Sequence, residues 1–220
     1  MQTHAVRIPV GNRLLDGDLT FPENATSGIV LFAHGSGSSR HSTRNRFVAR
    51  VLNETGLATL LLDLLTPEEE REDMQTGHLR FDISLLADRL VAAIDWISAQ
   101  KEISGLAVGI FGASTGGGAA LVAAARVPDH IAAVVSRGGR PDLAGAALAG
   151  VKAPTLLIVG GDDIPVIGMN RDAERRMTAE REIRIVPGAS HLFEEPGTLE
   201  AVAEHARDWF LQYLKGGEVR

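Results

Sequence analysis

Chemistry concentrates in the run Gly112-Ala113-Ser114-Thr115-Gly116, a G-x-S-x-G pattern. A serine on a sharp strand-to-helix turn needs small residues two positions before and after it, because a Cβ there would collide with neighbouring backbone. Gly112 and Gly116 meet that need, and Gly117 and Ala119 let the following helix lie close to a sheet. A serine hydroxyl is a weak nucleophile at neutral pH and needs a base, which in turn needs an acid to orient it. On such a turn the partners follow in the order Ser, Asp or Glu, His.

Two histidines lie far enough along the chain, His191 and His205. His205 falls inside the last helical pattern and reads as an ordinary helix residue. His191 follows the predicted strand Glu182–Val186 by way of Pro187-Gly188-Ala189-Ser190, at the strand's carboxyl end, where open parallel sheets hold their ligands. For the acid, Gly160-Gly161-Asp162-Asp163 offers two adjacent carboxylates beyond another predicted strand. Successive side chains diverge, so one of them faces the histidine. The glycine turn favours Asp163, with Asp162 as alternate and Asp142 third. An acyl-transfer site also needs N–H donors for a developing oxyanion. Thr115, at a helix N-terminus, and Ser36, in His34-Gly35-Ser36-Gly37, are the candidates, and His34 reads as a hydrogen-bonded support of that loop.

These residues require strands that end beside one another. Short apolar runs alternate with helical patterns, the signature of a parallel sheet covered on both faces. Strands are predicted over Ala5–Pro9, Leu14–Phe21, Gly28–Ala33, Leu57–Leu65, Leu106–Phe111, Ile131–Ser136, Thr155–Val159 and Glu182–Val186. Helices are predicted over Ser42–Thr55, from an Asp82 cap to Gln100, and over Thr115–Arg126, Asn170–Ala179 and Thr198–Leu214. The acidic stretch Thr66–Gln75 reads as a solvated loop. Trp96 and Trp209 fall on helices and read as packing residues. No repeat or linker divides residues 1–220, so one domain is expected.

Composition narrows the function classes. The 220 residues carry 22 Lys+Arg against 28 Asp+Glu, a net charge of −6, which does not suit a nucleic-acid binder. With no cysteine, a thiol nucleophile, a thiolate metal site and a disulfide framework are excluded. The glycine runs fit neither a phosphate loop, since Gly116-Gly117-Gly118-Ala119 is followed by no lysine, nor a complete dinucleotide fingerprint. No H-E-x-x-H spacing supports a metal site. The first ten residues hold no apolar core of signal-peptide length, and no run approaches the roughly 18 apolar residues that span a bilayer. A soluble, cytoplasmic protein that engages no membrane is expected, as a monomer or homodimer.

Taken together and in chain order, His34–Gly37, Gly112–Gly116, Asp163 and His191 resemble the α/β-hydrolase superfamily. The compact size resembles its dienelactone-hydrolase-like branch. That resemblance implies an α/β fold with an eight-stranded, mostly parallel sheet, a Ser-His-Asp triad and no cofactor. Two features set the chain apart: dienelactone hydrolases proper use a cysteine nucleophile, and only Arg137–Pro154 stands where many relatives insert a lid. The function expected is hydrolysis of small, soluble carboxylic esters. Thioesterase, amidase or cofactor-free perhydrolase chemistry and a non-catalytic ligand-binding role are the alternatives. Arg40, Arg137 and Arg140 are expected near the mouth, where guanidinium forks would favour an anionic ester. Ile164, Val166, Ile167, Leu192 and Phe193 are expected as an apolar wall.

Overall fold

The structure, a computed structural model, describes residues 1–23 and 26–214. Its strands are β1 Gln2–Val10, β2 Arg13–Phe21, β3 Gly28–Ala33, β4 Ala58–Leu62, β5 Ala107–Ala113, β6 Ala133–Arg137, β7 Thr155–Gly160 and β8 Arg181–Val186. Its helices are α1 Thr43–Glu54, α2 Pro67–Thr76, α3 Ile83–Ala99, α4 Thr115–Arg126, α5 Ile164–Arg176 and α6 Thr198–Tyr213. The strands form one eight-stranded sheet in the order β1-β2-β4-β3-β5-β6-β7-β8. Pairing is antiparallel for β1 with β2 and for β2 with β4, and parallel from β4 to β8.

Burial on both faces explains why the central strands are apolar throughout. Along β3, Leu31 and Ala33 join a cluster with α3 and α4 residues such as Leu90, Ile94 and Leu121. Val30 and Phe32 face the other way, toward Val48 and Leu52 of α1 and Phe210 of α6. Phe32 and Phe111 meet there with ring centroids 5.0 Å apart. Each large side chain so buried stabilises the fold by roughly 1.5–3 kcal/mol. Trp209 is buried against the same cluster and Trp96 packs on the first, so both are packing residues.

Two elements differ from the sequence reading. Thr66–Gln75 is no loop: Pro67–Thr76 is helical, with Pro67 in its first turn. Thr66 Oγ1 accepts from the Glu69 N–H at 3.2 Å while Glu69 Oε2 accepts from the Thr66 N–H at 2.8 Å, a reciprocal cap. Gly77, at φ 68°, closes the helix in the left-handed conformation. The dense negative charge favours a helix here, because carboxylates in the first turn complement the helix dipole. Helix α5 begins at Ile164 rather than near Asn170, starting directly after Asp163.

Helix α2 is fastened at its first turn by a buried carboxylate-to-arginine network and at its last by Asp73, which is bonded to Arg80. Glu69 Oε1 accepts from Arg89 Nη2 of α3 at 2.8 Å and lies 2.5 Å from Arg13 Nη1 of β2. Glu69 and Arg89 are each 5 % exposed, so losing one leaves the other as a buried, uncompensated charge. Glu69→Ala is therefore expected to lower unfolding free energy by about 3–5 kcal/mol. Glu68→Ala, at an exposed position, should change it by less than about 0.5 kcal/mol. Urea unfolding midpoints of the two variants check this.

Candidate active site

Strand β5 ends at Ala113, and Ser114 stands between it and α4 with φ 51° and ψ −120°. Only two non-glycine residues have positive φ, Ser114 and Phe193, among the described residues. The turn is held by close approach. A Cβ on Gly112 would lie 2.6 Å from Gly116 O and from Gly117 Cα, and one on Gly116 would run into the carbonyl oxygens of Ala33 and His34. Ser114 N–H donates to Arg137 O at 3.2 Å, tying the turn to the end of β6. The hydroxyl thus stands at the carboxyl edge of the sheet.

The sheet delivers the other two groups from β7 and β8. Gly161 N–H donates to Val186 O at 2.8 Å and Asp162 N–H to Ala189 O at 3.0 Å, lacing the two loops together. Asp163 Oδ2 lies 2.7 Å from His191 Nδ1, and His191 Nε2 lies 3.3 Å from Ser114 Oγ. Of the two adjacent carboxylates it is Asp163 that meets the ring, as the later position in the turn suggested. The Asp163 side chain is 13 % exposed and that of His191 37 %, so the acid is sheltered and the imidazole edge is open. Ser190 N–H donates to Glu195 Oε2 at 3.0 Å, and bonding to Ser190 holds the Glu195 carboxyl below the usual range. His205 and Asp142 stand elsewhere: His205 Nδ1 accepts from Arg184, and Asp142 pairs with Arg140.

Gly35 lies against the serine, since a Cβ on it would come 3.1 Å from Ser114 Cβ. Ser36 and Thr115 both line an adjoining cleft of about 600 Å³. The loop is held by His34, whose Nε2 accepts from the Leu64 N–H at 3.0 Å while Nδ1–H donates to Gly35 O at 2.9 Å. The bond from Leu64 requires the neutral ring, because a protonated Nε2 cannot accept. Burial pushes the pKa of His34 below its ordinary 6.5, against smaller upward pulls from Gly35 and Asp63.

The mouth differs from the sequence reading. Arg40 is bonded to Asp63 and lies 3.5 Å from Asp18, and Arg140 makes two bonds to Asp142 at 2.9 and 2.7 Å. Both forks are occupied by carboxylates close at hand, which sequence spacing could not reveal for Arg40. Arg137 is 7 % exposed, beneath the histidine loop. None of the three lines the cleft. Of the expected apolar wall, Val166 and Phe193 are buried in the core, while Ile164 and Leu192 are 68 % and 41 % exposed. The cleft opens on the other side, walled by Glu70, Asp73 and Met74 of α2, with Arg80 and Leu86. The T-P-x-E start at Thr66 was the signal that could have placed α2 there.

The sequence pattern of the dienelactone hydrolase family matches residues 15–215. The chain belongs to that family. A crystal structure of a dienelactone hydrolase from Anabaena variabilis ATCC 29413 is similar at 63 % identity and a TM-score of 0.95, covering 97 % of this chain and 99 % of that one. A Xanthomonas campestris protein, described as an α/β serine hydrolase without lid, shares the fold at 19 % identity and a TM-score of 0.77, over 99 % of this chain and 97 % of its own. A Mycobacterium tuberculosis protein (strain ATCC 25618 / H37Rv), named "Putative phosphoribosyl transferase", is 55 % identical over 98 % of this chain. This family member spans only 48 % of that relative's length. No helix among the described residues is long and apolar enough to cross a membrane.

For His34, protonation breaks the Leu64 bond, so the folded state binds that proton less readily than the unfolded chain. Its contribution to stability is present above pH 6.5 and is lost as pH falls from 6.5 through the depressed folded value. His34→Gln should flatten that part of the stability–pH curve relative to the parent. Denaturant unfolding across the acid range tests it.

Proposed function

We propose that this chain is a serine hydrolase acting on small, soluble carboxylic esters through an acyl-enzyme. The observation that carries this reading is the hydrogen-bonded line Asp163–His191–Ser114, with the serine held at φ 51° on its strand-to-helix turn. Ser114 Oγ attacks the ester carbonyl carbon while His191 Nε2 takes its proton. Asp163 accepts from Nδ1–H, fixing the tautomer and stabilising the imidazolium. The oxyanion is received by the backbone N–H groups of Thr115 and Ser36. His191 then returns the proton to the leaving alcohol, and water repeats the sequence to release the acid. The 3.3 Å separation of His191 from Ser114 is that of a resting site, which tightens when substrate excludes water.

A cleft of about 600 Å³ beside Ser36 and Thr115 suits a small substrate. Leu64, Leu65, Met74 and Leu86 supply its apolar surface, with Ser36 and Ser38 among its hydroxyls. Family membership supports hydrolysis as the reaction class. Thioester, amide and peroxide chemistry share the same machinery, and the ester reading rests on the open, lidless mouth. The phosphoribosyl transferase name belongs to a protein about twice as long, and the part matched here is the one that contains Ser114, Asp163 and His191.

Ser114→Ala should abolish labelling by a fluorophosphonate and lower kcat by about 10⁶, while Asp163→Asn should lower it by about 10⁴. A panel of ester, thioester and amide of matched size, assayed with parent and variants, checks both the residues and the bond cleaved. Undiminished ester turnover by Ser114→Ala would refute the assignment.

A further inference from the structure

Arg137 bonds to Ser114 through its main chain and sets its side chain against the loop that carries His191. Its main chain is the last position of β6, paired with Ala113 of β5 and with Ile158 of β7. Its carbonyl accepts from Ser114 N–H, and the next residue, Gly138, donates to Ile158 O at 2.7 Å. Gly138 is in turn packed on the histidine: a Cβ there would lie 3.1 Å from His191 O and 3.6 Å from His191 Cε1.

The side chain points to the same loop. The guanidinium carbon stands 5.8 Å from the ring centroid of Phe193, two residues after the histidine. Phe193 is 2 % exposed and has φ 55°, a conformation that a bulky residue keeps only when its surroundings over-determine it. Arg137 Nε and Nη1 are buried without a hydrogen-bond partner. Burial, with the charge of Arg44 nearby, lowers its pKa to about 10, which leaves it charged at neutral pH. Arg44 itself reaches Glu194 Oε1 at 3.1 Å, so two guanidiniums hold the segment following His191.

A buried cation with no carboxylate against it is poorly accounted for by packing, because an aliphatic chain would fill the space without desolvating a charge. The face of an aromatic ring is a partner that a cation grips and an aliphatic chain does not. We propose that Arg137 is a positioning residue: its main chain fixes Ser114, and its guanidinium, set over the ring of Phe193, fixes the loop that carries His191, so that hydroxyl and imidazole stay in register. This role rests on the hydrolase reading above.

The test compares Arg137→Met, Arg137→Lys and Phe193→Leu with the parent. It reads thermal unfolding, the rate of fluorophosphonate labelling, and kcat and KM on a neutral and an anionic ester of equal size. Misplacing a reacting group by about 1 Å costs on the order of 10²-fold. Arg137→Met should therefore lose about 10–100-fold in labelling rate and kcat on both esters alike, with KM little changed. Arg137→Lys, which keeps the cation, should recover most of that loss, and Phe193→Leu should resemble Arg137→Met. A folded Arg137→Met that is labelled as fast as the parent overturns the role. So does a loss confined to the anionic ester, which would place the guanidinium on substrate. If Arg137→Met does not fold, a fully active Phe193→Leu overturns it equally. A parent protein that the probe leaves unlabelled removes the hydrolase reading and this role with it, whereas a labelled parent beside an equally reactive Arg137→Met removes this role alone.

Discussion

Between the end of β5 and the start of α4 the chain turns so tightly that two backbone segments pass within the radius of a methyl group. Gly112 meets Gly116 and Gly117, and Gly116 meets the carbonyls that end β3. The placement of the hydroxyl follows from that approach. It forces Ser114 into positive φ, presents the hydroxyl at the sheet edge, and brings the loop after β3 beside the first N–H of α4. The strain is sustained by parallel pairing on both sides of β5, which fixes the two ends that the turn must join.

The remaining groups are placed by strand order rather than by proximity in the chain. Ser114 and His191 are 77 residues apart, yet β5, β6, β7 and β8 lie side by side and all run the same way, so their carboxyl ends share one edge. The loops after β7 and β8 then bond to one another through Gly161 and Asp162, which sets the acid against the imidazole. On the opposite side, His34 joins the β3 loop to the segment leading into α2, so the Ser36 loop and the cleft wall share a support.

Charge in this protein is mostly internal business. Arg40, Arg80, Arg89 and Arg140 each answer a nearby carboxylate, and in doing so they fasten the loops and short helices around the mouth. Such pairs hold geometry more than they add stability, because desolvating two charges offsets much of their attraction. Arg137 stands apart from this pattern, with an aromatic face where the others have an acid.

How much was legible in the sequence follows from how local each cause is. The glycines around Ser114, the Asp82 cap and the alternation of apolar runs with helical periods act within a few residues, so the strand-to-helix turn and most elements are legible in them. The order Ser, Asp, His selects Asp163 and His191 because each lies just past a predicted strand. Helix α2 was legible too, in Thr66, Pro67, Glu69 and Gly77, but the acidic composition concealed it. What the arginines would do was decided only in three dimensions. Asp63 lies 23 residues from Arg40, and Phe193 lies 56 residues beyond Arg137, so neither partner is implied by spacing. Which side of the triad opens as a cleft depended likewise on α2 folding back over the β3 loop. Local sterics and hydrogen bonding are written residue by residue, whereas the partner of a charge and the location of a cavity are fixed only when the sheet has brought distant segments together.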